Sequence, residues 1–534
     1  MANRRQPLIP GWCWTGLLAS GLILTIATMA IAALWHHAPE SNWQTLWKDS
    51  YLWHVVRFTF WQALLSALIS VLPAILLARA LYRRHFPGRE WLLRLCTMTF
   101  VMPVLVAVFG LISVYGQQGW LAILCRWLGI TYSFSPYGLQ GILLGHLFFN
   151  LPLATRMLLH ALENIPVEQR KLAAQLGMTN WYQWCILEWP VLRQQLLPIS
   201  ALIFMLCFAS FVPALELGGG PQASTLELAI YQALSYDYDL RLAAVLAMIQ
   251  LVCCLGLLLL SQKLSHTLPI GNSHAHLWHN LAESKWYRLS DGLLITAALL
   301  FLLPPILAVI TNGINQPLSC SLQQPQLWLS LITSVRIALS AGLLCVVLTM
   351  MLLWSSRELK LRKRWHWSQI LELSGMVILA MPSIVLATGF FLLLSNTRGV
   401  PQSPYALVIT SNALMAIPYA LKILEKPMFD LADRYNRLCL SLNIHGWQRL
   451  RLIELKALRQ PLAQALAFAS VLSVGDFGVL ALFGNANFRT MPFYLHQQMG
   501  SYRNHDGAVT ALLLLLLCFL LFTLIERLPS PSYQ

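Results

Sequence analysis

Two carboxylates stand inside strongly apolar stretches of this chain: Glu216, near the end of 196–217, and Asp476, in the run Ser473-Val474-Gly475-Asp476-Phe477-Gly478. A carboxylate among residues apolar enough to lie in a bilayer is costly, and by default it is a candidate for holding or passing a cation. The structural alternative is a carboxylate satisfied by backbone groups at a helix end or by an arginine, Arg57 or Arg336. Four of the chain's 14 histidines crowd one short stretch, His266, His274, His276 and His279. Such a tract can bind metal, but these lack the spacing of a helical ligand pair and read as a polar linker. The 11 cysteines form no CxxC and no Cys/His ligand cluster, so no metal site is expected. The chain has no Ser/His/Asp set, no paired carboxylates in a catalytic context and no GxxxxGK[ST] to cradle a nucleotide's phosphates. It is expected to be no enzyme, to need no cofactor, and to act by where it places its groups.

The elements that place them are read from hydropathy. Apolar residues make up 57% of the chain and charged residues 11%, with a mean hydropathy of +0.62; a soluble domain carries about 25% charged residues. Runs near the roughly 20 residues needed to cross a bilayer fall at 13–34, 58–81, 96–115, 137–159, 196–217 and 242–260. They recur at 292–310, 331–354, 373–394, 406–424, 462–483 and 508–525. Every backbone group must be satisfied within hydrocarbon, which makes these runs helices. The fold class is an all-α polytopic membrane protein of about 12 transmembrane helices. No small-residue cleavage site of the usual kind follows the first run, which is expected to be a retained helix rather than a signal peptide.

The net charge of +15 does not point to nucleic acid, because its distribution follows the spans. Arg4 and Arg5 precede the first. Arg79, Arg83, Arg84, Arg89 and Arg94 lie between the second and third, Lys263 and Lys285 flank the mid-chain connector, and Arg357, Lys360, Arg362, Lys363 and Arg364 follow the eighth. The loops at 36–51 and 311–326 are nearly free of Lys and Arg. The positive-inside rule places the basic loops and both termini in the cytoplasm.

The chain also repeats itself. Met102-Pro103 returns as Met381-Pro382, followed at equal distance by Gly110 and Gly389, and Ser135-Pro136-Tyr137 returns as Ser403-Pro404-Tyr405. Pro152, Trp181, Glu188, Leu192, Arg193 and Gln194 return at one constant spacing as Pro418, Trp447, Glu454, Leu458, Arg459 and Gln460. Two tandem repeats are expected, 1–265 and 290–534, joined by a linker at 266–289, and paired repeats in membrane proteins usually frame a central pathway. Each repeat carries a long loop after its fourth span, 160–195 and 425–461, longer than ordinary connections and therefore expected to have a task. In the first, 167–176 is expected to be a short amphipathic helix, with Leu172, Leu176 and the neighbouring alanines on one face, ended by Gly177. In the second, 437–442 and Asn443 stand at the equivalent places, Asn being the other residue that tolerates the left-handed conformation. A lipid-anchoring interfacial helix would not need to recur with matched Trp, Glu, Leu, Arg and Gln.

At these loops the chain resembles the membrane subunits of type I ATP-binding-cassette importers, whose cytoplasmic loop reads Glu-Ala-Ala, three residues, Gly, then a Leu-Pro pair. Here Lys171-Leu172-Ala173, Ala174-Gln175-Leu176, Gly177 and Trp189-Pro190 stand in that register; Arg437-Leu438-Cys439, Leu440-Ser441-Leu442, Asn443 and Leu455-Lys456 keep the spacing. A basic residue replaces the leading Glu in both copies, and the second lacks the Gly and the Pro. The resemblance implies two tandem permease repeats in a bacterial inner membrane. It also implies ATPase-coupling roles for Leu172, Ala173, Ala174, Leu176, Gly177, Pro190, Leu438, Leu442, Asn443 and Trp447. More narrowly, residues 50–57, 140–146, Asn150-Leu151-Pro152 and 412–424 resemble the fused thiamine permeases of enteric bacteria. That implies two ATP-binding-cassette ATPase subunits and a periplasmic thiamine-binding protein as partners, and uptake of thiamine and its phosphate esters, with Asp476 and Glu216 as pathway candidates. A fused permease for ferric iron shares the architecture. An ion-driven secondary transporter would not need the two matched loops.

Overall fold

The structure, a computed structural model, describes residues 10–37, 49–84, 86–264, 285–316, 321–395, 404–442, 444, 446–485, 488–501 and 504–527. The four linker histidines, Arg4, Arg5 and Asn443 lie outside the described residues. The first repeat forms α1 (Pro10–His37), α2 (Ser50–Arg83), α3 (Arg89–Val101), α4 (Val104–Tyr115), α5 (Trp120–Trp127), α6 (Leu139–Glu163), α7 (Val167–Gln175), α8 (Trp189–Phe208), α9 (Val212–Leu217), α10 (Leu226–Ser235) and α11 (Leu240–Leu264). The second forms α12 (Lys285–Ile314), α13 (Pro325–Leu361), α14 (Trp365–Met376), α15 (Ser383–Ser395), α16 (Tyr405–Ser441), α17 (Arg459–Gly475), α18 (Gly478–Phe483), α19 (Met491–Gly500) and α20 (Asn504–Arg527). Among the described residues the only strand-like pairing is an isolated bridge between Asn485 and Phe488.

All twelve apolar runs are helical, and ten helices among the described residues are long and apolar enough to cross a membrane. The third, fifth, ninth and eleventh runs, expected as single spans, are broken instead. The third breaks at Met102, which is extended (φ −67°, ψ 129°) before Pro103; the ninth breaks at Met381 (φ −108°, ψ 99°) before Pro382. A residue before proline is pushed out of the helical region by the ring, so the Met-Pro repeat writes the same break twice. The fifth run parts at Ala209–Phe211 into α8 and α9, and the eleventh at Asp476–Phe477 into α17 and α18.

The chain divides into two compact units. One comprises residues 41–229 and 252–316. There α2 packs along α6 and α8, and α12, the first helix of the second repeat, packs on α2 and α4. Gly110 of α4 permits that approach, since a Cβ there would lie 2.5 Å from the carbonyl oxygen of Pro305. Asp291 of α12 is buried and receives both Arg83, at 2.8 Å, and Arg84, at 2.9 Å, from the end of α2.

The other unit comprises 1–40, 230–251 and 317–534. Here α13 packs along α16 and α17, and α1 packs on α13 and α15. Gly389 of α15 plays the part of Gly110, with Ala30 of α1 where its Cβ would be. Ile337, Ala387, Val408, Val479, Leu480, Phe483 and Phe488 form a core cluster joining α13, α15, α16 and α18.

Candidate functional site

In the first long loop Pro166 stands at the N-cap of α7 (φ −57°, ψ 136°) and separates it from α6. The helix ends in a Schellman turn. Gly177 has φ +63°, its N–H donates to the carbonyl of Ala174 (3.0 Å), and the N–H of Met178 donates to that of Ala173 (3.0 Å). Ala173 is buried while Leu172 and Leu176 are 56% and 65% exposed. The leucines and Ala173 therefore do not share the face expected of them: one step along a helix turns a side chain by about a quarter of a circle, so Ala173 seats the helix and the leucines point away.

The second loop reaches the same end by another route. Ala432 stands where the first repeat has Pro166, nothing stops the helix, and α16 runs unbroken to Ser441 in place of a separate short helix. Its end still reverses in the same way, with Leu442 N–H donating to Leu438 (3.0 Å) and Ile444 N–H to Cys439 (2.9 Å). These are the counterparts of Leu176 to Leu172 and of Met178 to Ala173. Cys439 is buried, while Leu438 and Leu442 are 48% and 60% exposed. Trp447 lies in the turn Gly446–Arg449.

Both loops return to the next span through one turn of π-helix, Trp184–Glu188 and Leu450–Glu454. Pro190 follows the first, but Lys456 holds the equivalent place in the second, so the wide turn does not need the proline. What the turns share is a glutamate at their last position. Glu188 Oε2 lies 2.6 Å from Arg79 Nε of α2, and Glu454 Oε1 lies 2.6 Å from Arg357 Nη1 of α13 and 2.9 Å from Arg449 Nε. Arg79 also donates to the carbonyl of Asn180 (3.2 Å) and stacks on Trp184 at 4.3 Å. Arg170 of α7 stacks on Tyr82 at 3.7 Å. Burial draws its guanidinium down to about 10, partly opposed by Glu188, so it stays charged at neutral pH. The recurrence of Glu188 as Glu454 was visible in sequence; the arginines that answer it were not.

Asp476 sits in the break between α17 and α18, extended at φ −71°, ψ 128°. Its carboxylate takes the backbone N–H groups of Gly478 and Val479, while Oδ2 is buried without a hydrogen-bond partner. Among the described residues neither Arg57 nor Arg336 forms an ion pair with it. Glu216 lies half-buried on α9. The position matching Asp476 in the first repeat is Ser210, whose hydroxyl meets His146 Nε2 at 2.9 Å; His146 Nδ1 meets Ser66 at 2.8 Å. Asn412, matching His146, donates to the Ser473 hydroxyl at 2.9 Å. The breaks of the fifth and eleventh runs thus each lie beside hydrogen-bonded polar side chains, which hydropathy alone does not reveal. Among the described residues no group of three or more metal-ligating side chains occurs.

The chain matches the family described as binding-protein-dependent transport system inner membrane component over residues 70–264 and 352–530, one stretch in each repeat. It is 66% identical to the thiamine transport system permease protein ThiP of Escherichia coli, over 100% of both chains. It is 43% identical to the protein of that name from Haemophilus influenzae, over 96% of this chain and 95% of the relative. A probable sulfate transport system permease protein of Zygnema circumcarinatum is 26% identical over 44% of this chain and 83% of its own length, as expected when one chain carries two permease repeats. With each repeat matched and relatives aligned from end to end, the chain belongs to the family of inner-membrane components of binding-protein-dependent transport systems.

Proposed function

We propose that this chain is the fused permease of an ATP-binding-cassette importer that carries thiamine, and its phosphate esters, from periplasm to cytoplasm. Two ATPase subunits supply the hydrolysis, and a periplasmic thiamine-binding protein delivers the cargo. The repeats span 1–265 and 290–534 about a cytoplasmic linker at 266–289, the last residues of which, 285–289, already open α12, with both termini cytoplasmic. The reading of cargo rests on the names of the relatives, 43% and 66% identical along nearly their whole length.

One observation carries the coupling assignment: two loop ends reverse through the same hydrogen bonds, and each holds a pair of leucines out to water. Burying a leucine side chain is worth about 1.5–3 kcal/mol, so a groove on an ATPase subunit that covered Leu172 and Leu176, or Leu438 and Leu442, would be held firmly. Ala173, Ala174, Gly177 and Pro190 shape the first loop, and Asn443 and Trp447 belong to the second. Asp476 is the leading pathway residue for a cationic cargo, with Glu216 second.

The test is uptake of labelled thiamine, with ferric iron in parallel, by cells lacking the gene and complemented with wild type, Gly177→Asp or the double variant Leu172→Ser/Leu176→Ser. Wild type restores thiamine uptake, and both variants lose it while remaining in the membrane by immunoblot. Uptake that persists in both variants removes the coupling assignment. Restored iron uptake alone removes the cargo.

A further inference from the structure

The arginine–glutamate pairs at the π-turns are the feature that this reading does not absorb. Each glutamate is almost wholly buried, with side-chain exposure of 7% for Glu188 and 1% for Glu454. A buried ion pair is a poor source of stability, since packed apolar residues of similar volume often do as well or better. A π-turn departs from the preferred helical hydrogen-bonding pattern and recurs at functional sites. This chain nevertheless joins the glutamate of that turn to an arginine of the second helix in both repeats, across 109 residues of sequence in the first, and Glu454 takes Arg449 as well.

The helix on the other side of each pair gives the arrangement its meaning. In the first repeat α6, which leads into the loop, packs along α2, and the returning limb is fastened to α2 by Arg79. In the second, α16 packs along α13, and the returning limb is fastened to α13 by Arg357. Both limbs of each loop are thereby tied to one membrane-spanning helix. We propose that Arg79–Glu188 and Arg357–Glu454 are matched clasps that make each coupling loop and the second helix of its repeat move as one body, transmitting ATPase closure into the membrane. Glu188 and Glu454 are positioning residues in this scheme and touch neither cargo nor nucleotide. The inference rests on the coupling role proposed above for the loops.

The experiment uses the full transporter, the permease with its ATPase and binding protein, reconstituted in liposomes. Thiamine transported per ATP hydrolysed and stimulation of ATPase by loaded binding protein are compared for wild type, Glu188→Gln, Glu454→Gln and the exchanged pair Arg79→Glu/Glu188→Arg. Glutamine keeps the shape and leaves an oxygen for the arginine, and coupling is read as thiamine moved per ATP at equal amounts of assembled, ATPase-bound complex. Transport per ATP falls about tenfold, the scale on which residues touching neither ligand alter coupling, and the exchanged pair recovers part of it. Unchanged coupling in both glutamine variants of a working transporter overturns the clasp alone. Loss of ATPase binding in step with transport also overturns it, because the pair then only holds the loop's fold. A wild-type complex without ATP-driven thiamine uptake overturns the permease reading itself.

Discussion

Asp476 does two things that one substitution separates. One oxygen's worth of bonding goes to the amides opening α18, while Oδ2 is left without a partner. Asparagine is as good as aspartate at the start of a helix but carries no charge. Asp476→Asn should therefore leave the amount of protein in the membrane unchanged and lower maximal thiamine uptake about tenfold, as for a charged contact worth about 1.5 kcal/mol. The half-saturating concentration, set by a separate binding protein, stays put. Uptake kinetics equal to wild type would show that the carboxylate only caps the helix. Gly177 acts through its backbone instead. Its identity alone announces a left-handed turn, and at φ +63° any side chain with a Cβ is strained by about 1–2 kcal/mol. Asp291, by contrast, carries no sign in sequence that two arginines converge on it.

At the scale of elements, the two first helices share one device. Gly110 and Gly389 recur at the Met-Pro spacing, and each lies where another helix's backbone comes too close for a side chain, Pro305 in one unit and Ala30 in the other. Gly110→Val should cost about 1–3 kcal/mol through overpacking and lower the unfolding temperature in detergent. Gly256→Ala, whose added Cβ meets nothing within 4 Å, serves as the control, and equal unfolding temperatures would refute the close approach. Much of the element level was legible in sequence because it rests on local physics: a hydrophobic run of bilayer length, a proline that breaks, a glycine that turns. Pro166 separates α7 from α6 and its absence lets α16 run on, a difference readable from Ala432 once the repeats are aligned. The face that α7 shows was not legible, because Ala173 and Leu172 differ by what packs against them and not by periodicity. Nor were the pairings of Glu188 and Glu454, since hydropathy says nothing about which distant arginine will answer a charge.

At the scale of the molecule, the boundaries of sequence and of packing cross. The repeats follow one another along the chain, yet α1 packs with the body of the second repeat and α12 with the body of the first, and residues 230–251 also group with the second. Every transmembrane run is apolar in much the same way, so composition could not foretell this exchange; it is decided by shape at Gly110 and Gly389 and, for α12, by Asp291 receiving Arg83 and Arg84. Removing a buried acid from such a trio strands uncompensated charge and costs about 3–5 kcal/mol, so α12 is a structural part of the unit it joins. A chain cut within 266–284 therefore behaves differently from two independent domains. Each half expressed alone lacks the helix that completes its own body and leaves its first helix without the surface that buries it, and it should be degraded. The halves expressed together should exchange α1 and α12, accumulate in the membrane and restore thiamine uptake to the cells that lack the gene. Epitope tags on both pieces, read by immunoblot with and without the other half, measure this directly. A half that accumulates alone and resists protease would mean that each repeat folds on its own helices and that the exchange of α1 and α12 is dispensable for stability.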